Sequence, residues 1–297
     1  MEHAIKESRG DRLFTIINYS VLSLLLATVL FPLLHVLSAS FSSPQAIISG
    51  RVWLFPVDFS LEGYKTVFNY GLVWSGYANS LFYAVVGTTI NVILTIMAAY
   101  PLSRKDFMGR QFFMFLFVFT MLFNGGLIPT YLLVKQLGML DTRWAMIIPG
   151  ALAVFNVIIT RTYFRTTISD ELLEAAQIDG CRNLRFLWKI VVPLSGPIIA
   201  VMALFYAVGH WNSYFGALIY LRDQGLYPLQ LILKNLLVQN EFDPTMMGDV
   251  EQMAQKAYLT QLLKYSLIVV ASLPVLIIYP FVQKHFVKGV MIGSLKE

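Results

Sequence analysis

Glu174-Ala175-Ala176-Gln177-Ile178-Asp179-Gly180, followed by Ile190-Val191-Val192-Pro193 and by Pro197, is the stretch whose reading decides this chain. It is charged and turned by a glycine, and it lies between two strongly apolar stretches. Within residues 168–193, Leu172, Leu173 and Ala176 recur at helical spacing. Asp179-Gly180 then reads as a turn, because glycine accepts backbone angles that other residues avoid. A second short helix should follow, with Leu184, Leu187, Ile190 and Val191 on its apolar side. Pro193 and Pro197 lead into the next apolar stretch, where proline is tolerated in a first helical turn. The segment is therefore expected to form a compact helix-turn-helix lying against a bilayer. Glu174, Asp179, Arg182 and Arg185 are left to meet a partner, whereas on composition alone the same charges could be those of an ordinary solvated loop.

Outward from that segment, composition supplies the bilayer. Of the 297 residues, 57% are hydrophobic and only 13% charged, about half the charge of a typical soluble protein. The surplus apolar residues are expected to face lipid. A spanning helix needs about 20 mostly apolar residues. Six stretches qualify, at roughly 14–39, 77–102, 112–134, 144–164, 195–221 and 262–283. The first is preceded by Arg9 and Arg12 and followed by Ser38-Ala39-Ser40, which resembles a secretory signal. Its apolar part runs well past a signal's short apolar region, so an uncleaved helix is the better reading.

Most of the 22 lysines and arginines fall on one side of these spans. They are Lys6, Arg9 and Arg12, then Arg104, Lys105 and Arg110, then Arg161, Arg165, Arg182, Arg185 and Lys189, and finally Lys284, Lys288 and Lys296. The bias of cationic residues toward the cytoplasm places both termini and the Glu174 segment inside the cell. The positive charge is dispersed beside apolar segments and so reports topology, not nucleic-acid binding. Cys181 is the only cysteine, which excludes an intrachain disulfide.

On the outer side, residues 40–76 form a loop rich in aromatic and turn residues, and residues 222–261 form a second segment too long for a simple turn. Leu137–Arg143 reads as a mere connector. The third apolar stretch is interrupted by Asn124-Gly125-Gly126 and Pro129, and the fifth by His210, Trp211, Asn212 and Gly216. Polar or broken helix interiors are tolerated in lipid where they face protein or a water-filled cavity. Asn91, Asn124, Asn156, His210 and Asn212 could bind sugar hydroxyls in a translocation path or tie helices together. The run His210-Trp211-Asn212-Ser213-Tyr214 pairs aromatic faces with hydrogen-bonding groups, as a polyhydroxylated ligand needs. The four histidines lie in different segments and make no metal site, and no catalytic cluster is visible. A phosphate-cradling G-x-x-x-x-G-K-[ST] is absent, so ATP-driven work would have to arrive by contact with another chain.

The Glu174 segment resembles the EAA motif of binding-protein-dependent ABC importer permeases. The wider chain resembles the carbohydrate-type, MalG-like group, and within it the LplC/YtcP-like oligosaccharide and polysaccharide permeases. The resemblance is carried by residues 125–131, 144–149, the Glu174 motif, residues 207–213 and the tail 288–296. It implies an all-α membrane protein of the MetI-like type I fold, with six transmembrane helices and both termini cytoplasmic. Residues 1–13 would be a cytoplasmic tail, 14–39 the first span, 40–76 an external loop, 77–285 the MetI-like core and 286–297 a second tail. Glu174, Ala175, Ala176, Asp179, Gly180, Arg182 and Arg185 would couple to the ATPase, and Asn124, His210, Trp211, Asn212 and Tyr214 would line the sugar path. Cys181 departs from the small residue usual in the motif.

The resemblance further implies a second related permease, two cytosolic ATPase subunits that hold ATP and Mg, an extracytoplasmic solute-binding protein and a bacterial inner-membrane location. This chain itself would be non-catalytic and bind no cofactor. The loop 222–261 would reach into the binding protein. The expected function is alternating-access import of oligosaccharides or polysaccharide fragments. A secondary transporter or channel without an ATPase is the alternative; it calls for ionisable residues in mid-helix, where this chain has amides and His210, and leaves the Glu174 motif without a role.

Overall fold

A computed structural model describes residues 8–238, 258 and 263–280. The chain divides into two compact units, Met1–Tyr70 with Leu236–Ala271, and Gly71–Asn235 with Ser272–Glu297. Among the described residues the secondary structure is helical, apart from one isolated bridge between Ser42 and Phe59.

In the first unit, helix α1 (Arg9–Ser40) opens on a capping box: Ser8 Oγ accepts from Asp11 N at 3.1 Å, and Ser8 N donates to the Asp11 carboxylate at 3.0 Å. Its 32 residues extend about 48 Å, more than the roughly 30 Å of a bilayer core. None of its spanning stretch is buried within this chain, so its apolar surface is left for lipid or another subunit. Only its end, Ser38-Ala39-Ser40, is buried, and here the resemblance to a cleavage site resolves into a different role. Ser38 Oγ donates to Leu54 O at 2.6 Å, Ser42 Oγ donates to Ser38 O at 2.7 Å and accepts from Val57 N at 3.0 Å, and Ser40 Oγ meets Tyr64 Oη at 2.8 Å. These small polar groups fold residues 41–60 back on the helix end, around α2 (Pro44–Ile48) and before α3 (Glu62–Asn69).

The second unit begins with α4 (Gly71–Phe82), which continues through a π-helical turn at Tyr83–Gly87 into α5 (Thr88–Ser103) as one 33-residue span. It starts earlier than the apolar pattern suggested: residues 71–76, Trp74 among them, belong to the helix rather than to the outer loop 40–76. Next come α6 (Arg110–Leu122) and α7 (Leu127–Gln136), bent by 110° at Asn124–Gly126, so the expected break in the third stretch is a sharp corner. Helix α8 (Trp144–Ile147) is separated by irregular backbone from α9 (Val154–Thr167). Helices α10 (Asp170–Ile178), α11 (Asn183–Phe186) and α12 (Val192–Leu194) lead to an 84° bend before α13 (Gly196–Trp211), then α14 (Phe215–Tyr220) and α15 (Leu229–Val238). Helix α16 (Leu263–Pro280) is the last described element. Among the described residues, three helices are long and apolar enough to cross a membrane, or up to five if each bent pair counts as one span.

The core of this unit is formed where α5, α9 and α13 pack, through Ile96, Ala99, Leu102, Val157, Phe164, Met202 and Tyr206. Close approach relies on small residues, as is usual between membrane helices. At Gly87 an added Cβ would collide with the imidazole ring of His210. The irregular backbone ahead of α9 is satisfied by side chains. Asn91 Nδ2 donates to Gly150 O at 3.3 Å, and Tyr206 Oη accepts from Ala153 N at 3.2 Å while meeting Thr95 Oγ1 at 2.8 Å. The polar residues at 91, 95 and 206 thus hold a break in the helix. Because the His210 ring fills the space over Gly87, Gly87→Ala should destabilise the purified protein by about 1–3 kcal/mol, the cost of overpacking. The double variant Gly87→Ala/His210→Ala should recover most of the lost thermal midpoint.

Candidate functional site: a docking surface and an anchored outer segment

The Glu174 segment forms the expected pair of short helices, and the local chemistry is explicit. Ser169 caps α10, its Oγ accepting from Leu172 N, and Asp170 and Glu171 place negative charge in the first turn, where the helix dipole favours it. The C-terminus closes as a Schellman motif: Gly180 N donates to Gln177 O at 3.0 Å and Cys181 N to Ala176 O at 2.8 Å. Gly180 sits at φ +73° with nothing within 4 Å of an added Cβ. Glycine is needed there for its backbone conformation, not for space.

Ala176 is buried in the same core cluster as Ala99, Leu102 and Phe164, together with Phe186, Leu187 and Val191. The docking pair and the membrane helices therefore share one packed interior. Leu187 and Val191 are buried and Ile190 packs against the same cluster, as expected of the second helix, but Phe186 is buried as well and Leu184 is 71% exposed. The turn of α11 is followed by a π-helical turn at Leu187–Val191. Glu174, Ala175, Asp179, Gly180, Arg182 and Arg185 are exposed. Between them stand apolar side chains that the charge-based reading missed, Ile178 at 87% exposure, Leu184 and half-exposed Trp188. The outward surface is thus a mixed apolar and charged patch.

The pair is also tied to the α5–α6 loop. Lys105 pairs with Asp170, and Arg104 grips Asp106 through two bonds of 2.8 and 2.7 Å while donating to Tyr100 Oη at 2.9 Å. Arg104 holds the Asp106 carboxyl below the usual carboxylate range, and Asp106 in turn raises the guanidinium. A cleft of about 350 Å³ lies between these residues, Arg165, Ser169 and Leu173.

The residues proposed for a sugar path do not converge on one described pocket. Asn124 is exposed and its Oδ1 accepts from Gly126 N at 3.0 Å, shaping the α6–α7 corner. His210 packs over Gly87, and Trp211 is buried against Tyr77, with ring centroids 5.5 Å apart. Asn212 and Tyr214 are exposed, in the break between α13 and α14.

The start of the 222–261 segment is firmly anchored by residues that the sequence reading passed over. Asn79 Nδ2 donates to Gly225 O at 2.7 Å and Tyr227 O at 3.2 Å, Tyr83 Oη to Leu226 O at 2.8 Å, and Leu229 N donates to Ser80 Oγ at 2.9 Å. Arg143 lies over the Phe82 ring and donates to Asn79 Oδ1 at 3.2 Å. Asp141, at φ +58°, accepts from Arg222 N at 2.8 Å and Asp223 N at 2.9 Å. Leu137–Arg143 is therefore a clamp on the outer segment, not a mere connector. The N–H groups of Asp223 and Arg222 hold the Asp141 carboxyl below its ordinary range. The segment from residue 239 onward, apart from residue 258, and residues 281–297, which include the tail, lie outside the described residues.

A short helix pair packs into a polar-stapled bundle of apolar helices, and comparison with known proteins identifies the class. Residues 71–292 match the model of the binding-protein-dependent transport system inner membrane component, and the chain belongs to that family. It is a multi-pass inner-membrane protein with the MetI-like fold. The chain is 43% identical over 287 residues to the polygalacturonan/rhamnogalacturonan transport system permease protein YtcP of Bacillus subtilis (strain 168), covering 96% of this chain and 99% of that one. It is 41% identical over 294 residues to Protein LplC of the same organism, covering 99% and 98%. A crystal structure of a bacterial ABC transporter involved in the import of the acidic polysaccharide alginate contains a chain similar to this one, with a TM-score of 0.87, 37% identity and coverage of 95% of this chain and 100% of that one.

Two outcomes follow from the local geometry. Gly180→Val should destabilise the turn by about 1–2 kcal/mol, because a β-branched residue resists positive φ, whereas Gly180→Asn should be milder. Proteolysis rates at the exposed turn would rank the two variants. The stability that Asp141 contributes should be fully present above about pH 4, where the carboxyl is ionised even in the unfolded chain, and lost as pH falls through its lower folded value. The thermal midpoint difference between wild type and Asp141→Ala should accordingly stay constant near neutrality and shrink in acid.

Proposed function

We propose that this chain is one of two permease subunits of an ATP-driven importer for oligosaccharides or polysaccharide fragments. The motor is a separate pair of cytosolic ATPase subunits, and an extracytoplasmic binding protein delivers the ligand. The observation that carries this reading is the α10–α11 pair: its turn is fixed by a Schellman motif, its inner face is continuous with the membrane core, and its outer face exposes Glu174, Ile178, Asp179, Leu184 and Arg185. Such a pair, seated in a cleft of an ATPase, would move with ATPase closure and carry that motion into α5, α9 and α13. The bundle then alternates between outward and inward openings. The segment beginning at Arg222, clamped by Asn79, Asp141 and Arg143, would meet the binding protein on the opposite side.

Uronate-containing fragments are the favoured cargo, supported by the names of two relatives, one for polygalacturonan and rhamnogalacturonan and one for alginate. Asn212 and Tyr214, exposed at the α13–α14 break, are the most accessible members of the proposed sugar path. ATP and Mg would be bound by the partner ATPase alone.

The test is ATPase activity in reconstituted vesicles containing this chain, the companion permease, the ATPase and the binding protein, across neutral and acidic oligosaccharides. An acidic fragment should stimulate hydrolysis, and Glu174→Lys should abolish stimulation without preventing membrane insertion. Failure of the assembly to retain any ATPase would refute the coupling role. Stimulation by neutral sugars alone would refute the cargo.

A further inference from the structure

Arg110 at the start of α6, with Arg161 and Arg165 in the last two turns of α9, lines an open groove of about 560 Å³. Arg161 Nε donates to Leu102 O at 2.9 Å and Arg110 Nη1 to Arg104 O at 3.2 Å. Both bonds are to neutral carbonyls. The ion pairs among the described residues are Arg51–Asp58, Arg104–Asp106 and Lys105–Asp170, so none of the three arginines has a carboxylate partner there. Arg165 and Arg110 instead act on Arg161 as like charges. Three guanidinium groups held together in this way call for an anion, and their planar forks suit phosphate oxygens.

The rest of the groove limits what that anion can belong to. Met114 and Val118 follow Arg110 at helical steps of four, and Phe115 follows Gln111 in the next row, so an apolar strip leads away from the arginines along α6. No residue of α6 is fully buried, and Phe112, Phe115 and Phe119 are exposed, as expected of a lipid-facing helix. A cluster of cations where an apolar helix begins, with an apolar strip running into the span, has the shape of a phospholipid: headgroup on the arginines, acyl chain on the strip. A soluble phosphate would use only the cationic half.

We propose that the α6–α9 groove binds the headgroup phosphate of an anionic phospholipid. The lipid would lie in the leaflet on the side of the docking pair, which the distribution of Lys and Arg makes cytoplasmic and where negative surface charge attracts basic segments. The inference rests on the membrane location of the chain and on that sidedness, but not on its cargo. A lipid held there would bridge the end of α9 to the start of α6, next to the Lys105–Asp170 contact with α10.

The experiment is native mass spectrometry of the assembled transporter from mixed phosphatidylglycerol and phosphatidylcholine nanodiscs, counting retained lipids. Wild type should retain phosphatidylglycerol in preference to phosphatidylcholine. Arg165→Gln and Arg161→Gln should each reduce that preference, and the pair should remove it; Arg165→Lys should keep part of it. Arg161→Lys preserves a donor for Leu102 O and separates folding from lipid binding, with the thermal midpoint as the check. Unchanged retention in the folded Arg161→Gln/Arg165→Gln variant would overturn the proposal. So would loss of the companion permease with lipid retention intact, since the arginines would then serve a protein contact. Lipid retention is read without transport, so a failed cargo assignment leaves the result interpretable.

Discussion

A peptide group that leaves a helix in an apolar solvent must find its partner on the protein, and much of the membrane core is organised by that requirement. Backbone leaves the helical ladder at Gly150 to Ala153 and again at Gly225 to Leu229. At the first break Asn91 and Tyr206 supply the missing donor and acceptor; at the second Asn79, Ser80 and Tyr83 do. Alone in lipid these side chains would be unfavourable. Bonded to a broken backbone they fix where α9 begins and where the outer segment leaves the bundle. Much of the polar content of α4 and α5 is structural for this reason.

A second constraint is continuity of packing. Ala99, Leu102 and Phe164 meet Ala176, Phe186 and Val191 in one cluster, so the docking pair has no soft layer between it and the membrane helices. Closely packed interiors transmit displacement because they have little free volume to absorb it. The turn at Gly180 complements this arrangement: the Schellman bonds set the direction of α11 without any side chain at the apex, leaving the outer surface for a partner. Exposed Ile178 and Leu184 make that surface partly apolar, while Glu174 and Arg185 give it charge.

The bent helices complete the picture. At Asn124–Gly126 the corner is made by a positive-φ glycine and by the Asn124 side chain acting on its own loop; at Ser195 a buried serine stands at the 84° turn into α13. The first bend splits the apolar stretch 112–134 into two shorter helices with different directions; the second falls at the start of the stretch 195–221, which breaks again at Asn212 between α13 and α14. Together with the irregular backbone between α8 and α9, these breaks account for the difference between six apolar stretches in the sequence and three straight spanning helices among the described residues.

Much of this was legible without coordinates. Hydropathy identified a membrane protein because twenty apolar residues in a row have few other stable fates, and the Gly-turned Glu174 segment was readable as a pair of short helices because helical spacing and turns are written in local sequence. The breaks at Asn124 and Asn212 were visible for the same reason. The partners of Asn79, Tyr83, Asp141 and Arg143 were not, since those bonds join residues up to 148 positions apart and a connector with one Asp and one Arg resembles any other. Nor could sequence place Trp211 against Tyr77 or exchange Leu184 for Phe186 on the inner face, because both depend on which side chains the tertiary packing covers. Local chemistry and solvent preference determined which segments exist; only the packed fold decided which polar groups staple the bundle, because that depends on which backbone groups the tertiary contacts leave without partners.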